Sequence, residues 1–140
     1  MSSSTPSREW LFIGPPSAPF DAAPGTVLRE AGARALNIAP RRWLLLGEAP
    51  ELCERARAAR ALEFDTSGRW QLIELARDSA ALRAALDIEY ALATRECLSM
   101  SLFDTPAHLC AHERVGWVWV CVPTSYAAGF MQQVRAIEAR

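Results

Sequence analysis

The run Gly116-Trp-Val-Trp-Val-Cys-Val-Pro-Thr-Ser-Tyr126 constrains the fold more than any other part of this chain. Successive β-branched and aromatic residues favour a strand, and a strand apolar on both faces belongs between layers. Pro123 has no amide hydrogen for a ladder, so the strand stops there. Thr124 and Ser125 offer hydroxyls to cap a helix, whose apolar stripe is Tyr126, Phe130, Val134 and Ile137. A buried strand handed to a capped amphipathic helix fixes an architecture. It supplies no nucleophile with a base beside it.

From residue 33 up to this run the chain alternates strands and helices. Ala33–Ile38 and Arg42–Gly47 read as strands around a turn at Ala39-Pro40-Arg41. Trp43-Leu-Leu-Leu46 is apolar on both faces, which predicts a central strand. Pro50 suits the first turn of a helix running to about Ala61. Glu63–Thr66 and Arg69–Ala76 are extended segments flanking Ser67-Gly68. Asp78 or Ser79 caps a helix in which Ala81, Leu82, Ala85, Leu86 and Tyr90 fall at helical spacing. Cys97–Phe103, a turn at Asp104-Thr-Pro106, His108–Glu113 and Val115–Val122 form an antiparallel meander. The fold class is α+β: a mostly antiparallel sheet with helices packed on one face.

Residues 1–32 differ in composition. Pro6, Pro15, Pro16, Pro19 and Pro24, with Gly14, Gly25 and Gly32, argue against a regular helix or central strand. Yet Trp10, Phe12, Ile13 and Phe20 are apolar and need a dry surface. The segment is expected to be an arm, lying on its own domain or docking on another subunit. Residues 33–140 are the single α+β domain.

The 15 basic and 16 acidic residues nearly cancel, so nothing draws the chain to nucleic acid or an anionic membrane. Every basic residue is arginine, which excludes a Schiff-base or general-base lysine. The four cysteines, Cys53, Cys97, Cys110 and Cys121, contain no C-x-x-C pair. With no secretory signal pattern, free thiols in a reducing cytoplasm are expected. No apolar run approaches the ~18 residues of a membrane span.

His108, Cys110 and His112 share one strand face and are suitable zinc ligands by type. Alternate residues on a strand stand ~6.6 Å apart along it, so three in a row converge poorly on one ion. A mixed outer hairpin face is the simpler account. Asp65-Thr-Ser-Gly68 reads as a turn, because Asp and Ser bond nearby amides. Arg41 and Arg42 suit a carboxylate or phosphate by type, but two arginines at a turn are usually solvated. Trp117, Trp119 and Tyr126 are candidates for stacking a flat ring, although aromatics in an apolar strand are more often core. No G-x-G-x-x-G or Walker spacing occurs.

Four places in order carry a family resemblance: Ala35-Leu-Asn-Ile-Ala-Pro-Arg-Arg-Trp-Leu-Leu-Leu-Gly47; Asp65-Thr-Ser67 ahead of Trp70–Ala76; the capped helix from Asp78 to Leu92; and Val120-Cys-Val-Pro-Thr-Ser-Tyr-Ala127. The chain resembles the gamma subunit of heterotetrameric sarcosine oxidase, a small relative of the folate-binding domain of the glycine-cleavage T-protein. Ala76-Arg-Asp78 stands where that superfamily commonly has Gly-Pro.

The resemblance implies a noncatalytic accessory subunit that joins larger flavin-containing oxidase subunits of a complex in one-carbon metabolism. The chain itself would hold no cofactor, metal or catalytic residue. Trp10, Phe12, Ile13 and Phe20 are the expected interface, and a homodimer is conceivable when the partner is absent. The rival reading is a stand-alone folate- or pterin-like binding module with Trp117, Trp119 or Tyr126 beside its ligand. A third is a metal-dependent enzyme built on His108, Cys110 and His112.

Overall fold

The computed structural model describes residues 6–140. Two wholly antiparallel sheets and four helices make up an α+β fold. The strands are β1 (Ser7–Leu11), β2 (Val27–Glu30), β3 (Ala33–Ala39), β4 (Arg42–Leu46), β5 (Leu62–Asp65), β6 (Trp70–Ala76), β7 (Cys97–Leu102), β8 (Thr105–Ala111) and β9 (Trp117–Pro123). The helices are α1 (Pro50–Ala58), α2 (Ala80–Ala85), α3 (Ile88–Ala91) and α4 (Thr124–Glu138). The first sheet has the order β2-β3-β4-β1-β5 and the second β6-β9-β8-β7. There are thus two sheets where the sequence suggested one.

Side-chain alternation along the strands builds three apolar cores and so four layers. Trp10, Trp43 and Leu45 pack against α1 and against Phe12 and Phe20. The opposite face of the same sheet carries Leu36, Leu44 and Leu46, which meet Cys97, Cys110 and Cys121 of the second sheet. The far face of that second sheet carries Leu109, Val118, Val120 and Val122, covered by Leu82, Ile88, Phe130 and Val134 of α2, α3 and α4. Trp43 through Leu46 are all buried in the middle strand of the first sheet, as their two-sided apolar pattern requires.

The expected arm needs correction. Its first five residues lie outside the described residues, but the rest is integral. β1 sits between β4 and β5 as an internal strand, and β2 pairs with β3 across the expected boundary. The stretch Ser7–Leu11 contains neither proline nor glycine; Pro6 precedes it and Pro15 and Pro16 follow it. The punctuation belongs to the β1–β2 connection, and a five-residue strand fits inside it.

Other departures have local causes. The helix expected across Asp78–Leu92 is broken at Leu86, which is extended. Asp87 then accepts from the Tyr90 amide and starts α3, a capping role aspartate prefers to a helix interior. The β7–β8 turn is at Phe103-Asp104, both with left-handed φ as a two-residue hairpin demands. Thr105 and Pro106 are already in β8, and Pro106 lies beyond the part of β8 that β9 pairs. Ser79 caps α2 by accepting from the Leu82 amide. Neither expected cap serves α4: the Thr124 hydroxyl donates to the Gly68 carbonyl at 2.7 Å and its amide to the Arg69 carbonyl at 2.8 Å. The start of α4 is stitched to the β5–β6 loop, where Gly68 has φ +85°.

Candidate functional site

Trp10, Phe12 and Phe20 are each at most 3% exposed, so they are not a free docking surface. Phe20 meets Trp10 and Trp43 edge-on, with centroids 5.5 and 5.7 Å apart, and lies 5.0 Å from Phe12. Edge-to-face packing at such spacing is favourable. Burial needed a dry partner, and the chain supplies it from β4 and α1. Trp10 Nε1 donates to Glu63 at 3.1 Å. Partial burial alone would raise the Glu63 carboxyl, but hydrogen bonds from Trp10 and Arg57 and the charges of Arg57 and Arg8 bring it below its usual range. Of the four expected interface residues, Ile13 reaches the surface, at 69% exposure.

Trp117 and Trp119 stand at one end of the seam between the sheets. The His112 ring stacks on Trp119 at 4.4 Å and 12°, and the Arg34 guanidinium lies 4.9 Å from the same ring. Arg114 lies 4.3 Å over Trp117. Arg34, from β3, pairs with Glu113 at 2.6 Å, and Trp119 Nε1 donates to Glu113 at 3.3 Å. Burial would raise the Glu113 carboxyl, yet its hydrogen bonds and the Arg34 charge hold it below the usual range. His112 Nδ1 accepts from the Arg114 amide at 2.8 Å, so Nε2 carries the hydrogen that faces Glu74 at 2.7 Å. This arrangement clamps the first sheet to the β8–β9 hairpin. Its polar groups are engaged with one another, and its rings already carry cations.

Tyr126 is half exposed on α4, away from the buried stripe of Ala127, Phe130 and Val134. Two open clefts, of about 500 and 610 Å3, lie at the α2–α3 connection and between α4 and β6. Neither is lined by Trp117, Trp119 or Tyr126.

His108, Cys110 and His112 share a face, as alternation predicts, but have separate partners. His108 Nδ1 is 2.7 Å from Ser99 Oγ, Cys110 Sγ faces the Ala111 carbonyl, and His112 faces Glu74. Among the described residues no group of three or more His, Cys, Asp or Glu is placed to hold a metal ion. Burial lowers His108 to about 4, reinforced by Arg42 and opposed by Glu9. Burial pushes the Cys97 and Cys121 thiols up to about 12 and Cys110 to about 11. Protonated thiols are poor nucleophiles and poor metal ligands. The four cysteines are free and buried.

Asp65 accepts from the Ser67 amide at 2.9 Å, and that bond, with one from the Ser67 hydroxyl, lowers its pKa. Beside it Ser7 Oγ and Thr66 Oγ1 are 2.6 Å apart and buried, fastening β1 to the end of β5. The segment is a turn, as its residue types suggest. Arg42 pairs with Glu9, and Arg41 donates to the Ile13 carbonyl. Sequence reasoning missed two features. One is the Arg34–Glu113 pair, whose members are remote in sequence. The other is the exposure of β5: an extended segment was expected at Glu63–Thr66, but not that the strand starts at Leu62 with all four residues exposed, including Leu62 at 46% and Phe64 at 51%. The alternation Leu62-Glu-Phe64 was the available signal for the second.

No protein-family model matches this chain. No curated protein matches it significantly by sequence. Among solved structures it is similar to a chain of the heterotetrameric sarcosine oxidase from Corynebacterium sp. U-96, in complex with pyrrole 2-carboxylate. The TM-score is 0.74 at 17% identity, covering 99% of this chain and 81% of that one. No helix among the described residues is long and apolar enough to cross a membrane. The two-sheet α+β fold of this chain is therefore that of a chain of a heterotetrameric sarcosine oxidase.

Proposed function

We propose that this chain is a noncatalytic accessory subunit, gamma-like, of a sarcosine-oxidase-type flavoenzyme complex acting in one-carbon metabolism in the cytoplasm. It assembles with larger flavin-bearing chains. The observation that carries this reading is the fold likeness over 99% of the chain to a chain of a heterotetrameric sarcosine oxidase. Fold likeness alone does not transfer chemistry. The site geometry supports the noncatalytic part: the ionisable groups of the seam are tied into structural pairs, and its thiols are held protonated.

The test is a mild affinity purification of the tagged chain from its native cells, with mass spectrometry and an absorption spectrum of the eluate. A yellow eluate containing larger chains is expected. A colourless eluate of this chain alone refutes the reading. A folate-binding module is less well supported, because Trp117 and Trp119 already carry Arg114, Arg34 and His112 against their rings. Quenching of tryptophan fluorescence by a folate, saturable and stoichiometric, would revive it.

A further inference from the structure

The strand edges of the two sheets are not equivalent. The β2 edge is occupied, since Glu96 accepts from the Val27 amide at 3.0 Å and pairs with Arg29. The β7 edge is engaged at its start, where the Cys97 amide donates to the Gly25 carbonyl at 3.0 Å. β5 pairs with β1 on one side, and no strand among the described residues lies on its other side. It is also the strand that bears large apolar side chains at the surface, Leu62 and Phe64. An exposed apolar edge strand is a template for a further strand, and proteins normally blunt such edges with charge or proline.

Register and charge define what fits. Alternate residues share a face, so Leu62 and Phe64 project together with Leu11, which is opposite Leu62. The Thr66 amide donates to Ser7 on β1, so by alternation the Glu63 and Asp65 amides point to the open side. At the Leu62 end lie two exposed arginines, Arg41 and Arg60, that have no carboxylate partner among the described residues. Arg41 bonds the Ile13 carbonyl, and Arg60 lines the same cleft as Ile13.

A second copy of this chain fits badly. Antiparallel pairings that keep the apolar faces together set Leu62 against Phe64 of the other copy with Glu63 against Glu63, or Phe64 against Phe64 with Glu63 against Asp65. Like charges directly opposite are destabilising. Shifting by one residue sets Leu62 against Asp65 and turns the apolar faces apart.

We infer that the β5 edge receives one extended segment of the larger partner chain, added antiparallel, with apolar residues at alternate positions and a carboxylate at the end over Arg41 and Arg60. Main-chain bonds to Glu63 and Asp65 hold it, and Leu62 and Phe64 select its side chains, the general mode of strand addition. This rests on the subunit reading above and names the surface through which that assembly forms.

The experiment uses the full tagged chain expressed in native cells, as wild type, Phe64→Asp, Arg60→Glu and Tyr90→Asp, the last altering a remote residue that is 82% exposed. Larger flavin-bearing chains recovered per tagged chain are quantified, and hydrogen exchange is compared between the complex and the free chain. Phe64→Asp is expected to cut recovery at least about tenfold, Arg60→Glu severalfold, and Tyr90→Asp not at all. The Glu63 and Asp65 amides are expected to exchange at least about tenfold more slowly in the complex. The thermal unfolding of free Phe64→Asp checks that it is folded. Full recovery with folded Phe64→Asp, or unchanged exchange at Glu63 and Asp65, overturns the strand addition and leaves the subunit reading intact. Failure of wild type to recover any flavin-bearing chain overturns both. A wild-type homodimer that Phe64→Asp turns into monomer, with those two amides already protected, makes a second copy the occupant and overturns the inference.

Discussion

His108 is held between Ser99 Oγ and the Trp70 ring, 4.9 Å away, and burial keeps its pKa at about 4 against an ordinary 6.5. A folded-state value below the unfolded one means that protonation favours the unfolded chain. The stabilising contribution is fully present above pH 6.5 and is lost as pH falls from 6.5 to about 4. At ~1.4 kcal/mol per unit, the loss reaches about 3 kcal/mol. Urea midpoints should fall steadily over that window in wild type and less in His108→Asn. Glu63 and Glu113, with depressed values, add a further loss only below their ordinary 4.5. The buried Ser7–Thr66 hydroxyl pair gives a second residue-scale expectation. Ser7→Ala leaves the Thr66 oxygen without its partner and should cost ~1–3 kcal/mol, read from the urea midpoint at constant slope. The sequence showed that His108, Cys110 and His112 share a face, because alternation is local. It did not show what the two histidines meet, because Ser99, Trp70 and Glu74 come from other strands.

Among the elements, β1 matters most for how the N-terminal segment is understood. An arm could be removed from a folded domain, whereas β1 separates β4 from β5 and buries Trp10 completely. Deleting residues 1–30 should therefore abolish cooperative thermal unfolding rather than release an intact domain. Trp10→Ala should cost ~3–5 kcal/mol, measured by denaturant unfolding. The strands β3 and β4, the start of α1 at Pro50, and the β9–α4 junction were legible, since each has a strong apolar period or a proline at the right place. β1 was hidden by the density of proline around it. The division of α2 from α3 turns on Asp87 alone, and a single capping residue inside a helical apolar pattern is a weak signal.

At the scale of the molecule, the antiparallel α+β character followed from strand and helix order, but the number of sheets did not. Whether the meander continues the first sheet or stacks on it depends on the β5–β6 turn at Thr66–Gly68 and on which strand faces are apolar. The stack is held by the Arg34–Glu113 pair with Trp119, and on the β2 side by Glu96 on the Val27 amide. Arg34 is nearly buried, while Glu113 is half exposed and keeps its bond from Trp119, so Arg34→Ala removes one charge-assisted bond and uncovers the Trp119 ring. It should lower the urea midpoint by an amount worth ~1–3 kcal/mol.

The placement of the thiols makes the layers separately observable. Cys97, Cys110 and Cys121 all lie in the seam between the sheets, while Cys53 is on the buried face of α1, on the other side of the first sheet. A thiol reagent at pH 8 meets protonated, enclosed sulfur, so labelling waits for opening. The three seam cysteines should react together, at the rate at which the sheets part, and Cys53 at the rate at which α1 lifts. Arg34→Ala should hasten the first rate and leave the second. Mass spectrometry of timed labelling would thus use the cysteines as two clocks, one for each apolar layer that flanks the first sheet.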